Sequence, residues 1–418
     1  MGFVKPVLLA IIAIGVYNYY TKEKPAPVTS VKMRIEKGWE QVGEKFKELV
    51  LAGEIKGSSF SVRHKGKEVV NIVGGYADKD SLLEWDFDTL SLLFSSTKMY
   101  GATIILHMVE RKQLSLDDTV SKYWPEFAKN GKKDITIGDI LTHRSCLFLV
   151  DQNYDPEDLI VNPKAVEKIF EDQEPSCRIG KDHAYHAFTY GALLHLIVRR
   201  VDNKGRGLSQ YFREEIGIPH NLDTFIGLPY EENYRTTRME RIPILSSELL
   251  RSDAHVYREL SFGLLLNPNS PLAKSVKYPS MYLEDYSVNN PNKRRAPDAC
   301  CLGFSTTSSM TKFFSLLEAG KILKNETLDL ITTPVSDGEN ILVKVKIFFS
   351  HGFFITNLSG KKVYGHSGAG GQSLFSDKEN ELVFAYLTNY ATIYSRGDDP
   401  RFIQLFNAAY ECLKNVTK

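Results

Sequence analysis

The stretch that most constrains this chain is a polar tetrad, Ser95-Ser96-Thr97-Lys98, set between two apolar runs. Before it, Thr89-Leu90-Ser91-Leu92-Leu93-Phe94 is apolar enough to be interior. After it, Met99 to Met108 is strongly apolar, and Ile104, Ile105, Met108 and Val109 recur at the spacing of one helix face. The tetrad therefore opens a buried helix. Residues i and i+3 share a helix face, so Lys98 Nζ can reach Ser95 Oγ. A serine hydroxyl is a poor nucleophile until a base takes its proton. A lysine one turn away serves if an apolar pocket draws its pKa from about 10.4 towards neutrality. The first turn of a helix also presents N–H groups without intrahelical partners, which suit an oxyanion. Ser-x-x-Lys fixes only two residues, so its weight comes from the rest of the chain.

Composition narrows the setting. The 418 residues are 43% apolar and 25% charged, enough for one large globular domain or two to three small ones. Lys+Arg 52 against Asp+Glu 51 leaves a net charge of +1 with no polybasic run, which excludes a nucleic-acid partner. Cys146, Cys177, Cys300, Cys301 and Cys412 form no Cys-x-x-Cys pair; this argues against zinc and a disulfide framework and leaves room for one bridge.

Residues 6–21 carry no charge, with Lys5 before them, Lys22 after them and Tyr17, Tyr19 and Tyr20 at one end. The run is short for a span of roughly 17–25 residues. It precedes the linker Glu23-Lys24-Pro25-Ala26-Pro27 and lacks a clear cleavage site. It reads as an uncleaved single-pass membrane anchor, with a secreted or mitochondrial protein as the alternatives. Residues 29–52 read as one amphipathic helix with a stripe of Trp39, Val42, Phe46 and Leu49. Phe60 to Ala77 alternates around Lys65-Gly66 as a β-hairpin does.

From Asp117 to about Arg295 helical periodicity dominates. Asp134 to His143 reads as a short capped helix and His186 to Val201 as a longer one. Tyr185 lies among His183, His186 and His195, but Asp182 is the one carboxylate nearby and is not at helical ligand spacing, so no metal is expected. In the last third, Ile341–Phe349 and Glu381–Asn389 read as strands. Between them, Tyr364-Gly365-His366-Ser367-Gly368-Ala369-Gly370-Gly371 fits no phosphate-binding motif and suits a Gly-rich hairpin. Residues 398–415 form a closing amphipathic helix. Strands near both ends and helices between them imply an α/β (α+β) chain whose sheet is built from both termini.

Ser95-x-x-Lys98, Tyr185 and His366-Ser367-Gly368, in that order, resemble the serine β-lactamase and penicillin-binding-protein superfamily. The class C β-lactamases and related esterases, in which tyrosine stands in the second motif, are more similar still. Ile137 to Leu147 and Tyr185 to Val201 resemble the same family, and the likeness covers roughly residues 35–415. It implies a β-lactamase/transpeptidase-like fold: an antiparallel sheet from both chain ends flanked by helices, plus a mainly helical middle. The expected division is 1–28 anchor or signal and linker, and 29–418 the β-lactamase-like domain. Its α/β part covers about 29–115 and 296–418, and its helical part about 116–295.

The resemblance also implies roles. Ser95 matches the nucleophile, and Lys98 and Tyr185 the pair that shares the base role, with Tyr190 a rival to Tyr185. His366 matches the cationic or hydrogen-bonding residue of the third motif. The backbone N–H groups of Ser95 and Ala369 match the oxyanion hole, with Gly368 letting the strand approach the substrate. No metal or organic cofactor is implied. Two departures stand out: Tyr185-His186-Ala187 lacks the asparagine two residues after tyrosine, and His366 replaces lysine. Both point to a small-molecule ester or short peptide without a compulsory carboxylate, rather than a β-lactam. Cys146 replaces the family's usual glycine. The expected activity is therefore a membrane-tethered serine hydrolase acting through an acyl-enzyme; the alternative is a weak or inactive scaffold that binds or self-assembles.

Overall fold

The computed structural model describes residues 30–416 apart from 243–245, 252–253, 283–286, 336–338 and 344. The proposed anchor at residues 6–21 lies outside the described residues. Among those described, no helix is long and apolar enough to cross a membrane.

The sheet is assembled from the two ends of the chain. Its strands are β1 (Val31–Ile35), β2 (Gly57–His64), β3 (Lys67–Asp78), β4 (Phe348–Phe349), β5 (Phe354–Leu358), β6 (Lys361–Ser367), β7 (Ser373–Asp377) and β8 (Leu382–Thr388). They lie in the order β1-β3-β2-β8-β7-β6-β5-β4, every pair antiparallel, with short Leu83–Glu84 added on β3. β8 explains why a central strand here reads as unbroken apolar sequence. Leu382, Phe384 and Tyr386 face one core, and Val383, Ala385 and Leu387 the other. Successive strand side chains point to opposite faces, so a strand covered on both sides has no polar face.

Two helices cover the first face, α1 (Glu40–Leu51) and the C-terminal α6 (Pro400–Val416). Trp39, Val42, Phe46 and Leu49 meet Phe402, Leu405 and Phe406 over Phe60, Ile72 and Phe384. On the other face lie α2 (Thr97–Glu110), α3 (Tyr190–Val201) and α5 (Thr307–Glu318), with α4 (His255–Leu266) in the helical middle region. α2 is buried over nearly its whole circumference, from Thr97 to Leu106 and again at Met108. Helices apolar all round belong to interiors, as the sequence required.

Three sequence expectations are corrected. Residues 29–52 are not one helix: Val31–Ile35 is an edge strand paired with β3, and the helix starts at Glu40. Val31-Lys32-Met33-Arg34-Ile35 alternates strictly, and Gly38 at φ +92° separates the two elements. The second helix begins at Tyr190, not His186. Residues before it spend their backbone groups on tertiary partners, since His186 N–H donates to His143 Nδ1 at 3.2 Å and Ala187 O accepts from Lys98 at 2.9 Å. Ile341–Phe349 is not one strand: Glu339–Asn340 folds back on Val345–Lys346 before β4 begins. The hairpin around Lys65-Gly66 and the closing helix stand as read, and the helix read over Asp134–His143 narrows to Ile137–Leu141, capped by Thr136.

Candidate active site

The site is built on the turn that precedes α2. Phe94 takes φ +45°, a left-handed conformation that a bulky residue adopts only when its surroundings impose it. Here they do. Leu93 N–H donates to Gly303 O at 2.8 Å, and Thr97 Oγ1 donates to Phe94 O at 2.6 Å while accepting from Gly303 N–H at 3.0 Å. The turn leaves Ser95 half-buried between neighbours that are buried. Ser96 Oγ donates to His366 O at 3.1 Å and ties β6 to the same turn. Neither Ser96 nor Thr97 was singled out by sequence. Their hydroxyls look like ordinary helix-start residues until the strands they reach are known.

Lys98 is wholly buried. Its Nζ donates to Ser95 Oγ at 3.3 Å, Ala187 O at 2.9 Å and Cys300 O at 3.2 Å. Burial pulls its pKa down, but the negative charge that Tyr185, Cys300 and Cys301 take on when they ionise outweighs burial and holds the ammonium above the ordinary lysine range. This corrects the expectation of a lysine drawn towards neutrality. The Tyr185 ring lies over the same Nζ, 4.9 Å from its centroid. Burial raises the Tyr185 phenol; the Lys98 charge and hydrogen bonds to Ser95 and Lys98 pull it back without cancelling the rise. Tyr190 is buried beside Gly352 and Ala102, and its hydroxyl has no hydrogen-bond partner among the described residues. Tyr185, not Tyr190, is the tyrosine at Lys98.

His366 reaches the site from β6. Its ring stacks on Phe354 at 3.8 Å and lies 6.2 Å from Tyr185, centroid to centroid. Nδ1 sits 2.5 Å from Ser367 O, so Nδ1 carries the proton. Nε2 is buried with no hydrogen-bond partner among the described residues. Burial first, then the Lys98 charge, pushes the imidazole down to about 3. Of the two options for the third motif, cation or hydrogen-bonding group, the ring is thus the neutral one, with an open acceptor. The site's cation is Lys98. After Ser367 the strand runs against the Ser95 turn: a Cβ on Gly368 would stand 2.3 Å from Leu93 O. Only glycine permits that approach, and half-buried Ala369 follows it.

A further layer holds the Tyr185 loop. His143, at φ +59°, accepts from His186 N–H through Nδ1, while its carbonyl accepts from Ala184 N–H at 3.1 Å. His186 donates from Nδ1 to Ala184 O at 2.7 Å and accepts from Ser145 at Nε2, also at 2.7 Å. Burial pushes His186 down to about 3 and His143 well below the ordinary histidine range. Cys146, next to Ser145, is disulfide-bonded to Cys177, the one bridge for which the cysteine pattern left room; Cys300, Cys301 and Cys412 are free and buried. Phe148 and Leu149 then pack on Ala184 and help line a cavity of about 300 Å³ with Pro175, Asn269 and Pro271. Among the described residues no group of three His, Cys, Asp or Glu is placed to hold a metal.

Comparison with known proteins agrees with this architecture. The family described as Beta-lactamase matches residues 40–408. Esterase/beta-lactamase LipL of Mycobacterium tuberculosis is 26% identical over 353 residues, 80% of this chain and 77% of the relative. A family VIII carboxylesterase superposes with a TM-score of 0.78 at 25% identity, covering 92% of this chain and 100% of that one. A penicillin-binding protein homolog from Caulobacter crescentus gives 0.75 at 26% identity with the same coverages. With a match over most of its length and the fold to accompany it, this chain belongs to the beta-lactamase family.

Proposed function

We propose that the chain is a membrane-tethered serine hydrolase that cleaves an ester or amide through an acyl-enzyme on Ser95. The observation that carries this reading is the contact between a half-buried serine and a fully buried lysine, Ser95 Oγ to Lys98 Nζ, with the Tyr185 ring over the same nitrogen. The esterase names among the relatives agree with it. At rest Lys98 is an ammonium and Tyr185 a phenol, so the pair must first lose one proton. The phenolate left beside the ammonium then takes the Ser95 proton as Oγ attacks the carbonyl carbon. The oxyanion is met by the N–H groups of Ser95 and Ala369, each such donor lowering the barrier by about 2.7–4 kcal/mol. Collapse breaks the bond to the leaving alcohol or amine, which departs with the proton held by Tyr185. Water repeats the sequence and releases the acid. Because His366 is neutral, the substrate is one without a required carboxylate.

Turnover of a panel of acyl esters and short peptides tests the reading. Ser95→Ala abolishes hydrolysis, and Lys98→Ala and Tyr185→Phe each lower kcat by about a hundredfold or more. Variants that keep wild-type rates would rule it out; binding or assembly that survives Ser95→Ala, with no ester cleaved, would favour the scaffold. The tether rests on the uncharged residues 6–21. The full chain stays with membranes in alkaline carbonate, and Ile11→Lys/Ile14→Lys releases it.

A further inference from the structure

Helix α4 ends in an apolar face that neither the core nor the catalytic group uses. Phe262, Leu265 and Leu266 are exposed by 41%, 48% and 79%, and Leu250, in the turn before the helix, by 87%. Positions 262, 265 and 266 share one helix face. Arg258, one turn before Phe262, donates to Leu249 O at 2.7 Å and Arg251 O at 2.6 Å, which brings Leu250 beside that face. Grouped exposed apolar side chains of this kind mark an interaction surface.

The placement of this face says what covers it. α4 rests on the loop that leaves β8: Tyr257 donates to Asp398 at 2.6 Å, and Leu249, Ala254 and Tyr257 pack on Ile393 and Tyr394. β8 ends at Thr388, paired with Ser58 at the start of β2. At that same end of the sheet β1 begins at Val31, opposite Gly74, and β6 finishes at Ser367, opposite Ser373, against the Ser95 turn. The described chain therefore starts, just after the apolar residues 6–21, at the end that carries both α4 and Ser95. The linker 22–29 reaches at most about 28 Å when fully extended, so an anchored body is held close to the bilayer by this end. Just past Leu266, Asn269 and Pro271 line the cavity whose other wall, Phe148 and Leu149, packs on Ala184 next to Tyr185. Asp151, Gln173, Glu174 and Lys274 line the same cavity, so it is a largely polar recess between α4 and the Tyr185 loop.

We propose that the face formed by Leu250, Phe262, Leu265 and Leu266 docks on a lipid bilayer, and that the substrate is a membrane-borne amphiphilic ester taken up at this end of the molecule. The proposal rests on the tethered-hydrolase reading for its chemistry: the acyl–oxygen bond breaks, the acyl group passes to Ser95 and then to water, and the alcohol leaves with a proton.

Two measurements on the full chain separate docking from catalysis. The first reconstitutes Leu266→Trp in phosphatidylcholine vesicles with brominated acyl chains. Trp39, Trp85 and Trp124 are buried and give a constant background. The introduced indole is quenched by about half or more, whereas one placed by Lys67→Trp, beside the β2–β3 turn at the opposite end of the sheet, is not. No quenching at 266, equal quenching at both positions, or a signal that tracks protein concentration instead of lipid overturns the docking. The second compares Phe262→Ser/Leu265→Ser/Leu266→Ser with wild type. Its kcat/KM for a long-acyl ester carried in vesicles falls about tenfold or more, and that for a water-soluble short-acyl ester stays within about twofold. Equal effects on the two esters overturn the substrate assignment. A wild type that cleaves neither ester sinks the hydrolase reading and the substrate assignment with it, while the quenching still decides the docking.

Discussion

Each residue of the tetrad 95–98 has a separate task. Ser95 accepts from Lys98 at the half-exposed turn, Ser96 holds β6, Thr97 braces the turn and Lys98 carries the charge. Thr97→Val, which removes both hydrogen bonds of its hydroxyl, lowers stability by about 1–3 kcal/mol and also lowers kcat; denaturant unfolding and ester kinetics read the two effects. The protonation states predict a pH profile. Lys98 and Tyr185 are both held above their ordinary values, and one proton must leave the pair before Ser95 attacks. The kcat/KM for an ester with no titrating group therefore keeps rising with pH from neutrality to beyond about pH 10, with no plateau near neutrality. A profile that falls above neutral pH would contradict the assignment of the base. The Ser95–Lys98 contact was legible from i, i+3 spacing alone. The proton on Lys98 was not, because Tyr185, Cys300 and Cys301 set it, and spacing says nothing about partners that arrive from elsewhere in the chain.

At the level of elements, the Tyr185 loop is held by a neighbouring loop instead of by a helix of its own. Cys146–Cys177 closes 31 residues and ends beside Ser145, whose hydroxyl holds His186. Cys146→Ser/Cys177→Ser lowers stability by about 2–4 kcal/mol in thermal unfolding. It also reduces kcat more than it changes KM, because Tyr185 loses its support. Residues 186–189 misled the sequence reading for the same reason: their periodicity continues that of α3, but His143 and Lys98 claim their backbone groups. β1 misled it differently. Its five residues alternate cleanly, yet the stripe of α1 starts so soon afterwards that both fit one helical pattern.

Across the whole molecule, the strands near the two termini could be assigned to one sheet because α1, α6 and the helical middle region need a common surface to cover. Burial also leaves the molecule sensitive to acid. His186, His195 and His366 are each pushed down to about 3 by burial. In the unfolded chain they titrate near about 6.5, so below that pH the unfolded state binds protons that the folded state refuses. Stability is full above about pH 6.5 and falls as pH drops towards 3; unfolding midpoints measured across that range follow this slope, with proton uptake on unfolding.

The central claim is that Ser95 becomes acylated, and the most direct measurement of it is covalent labelling with a fluorophosphonate followed by peptide mass mapping. The adduct is predicted on the peptide containing Ser95, absent from Ser95→Ala and slowed about a hundredfold in Lys98→Ala. Labelling that persists in Ser95→Ala, or an adduct mapped to another residue, would contradict the account.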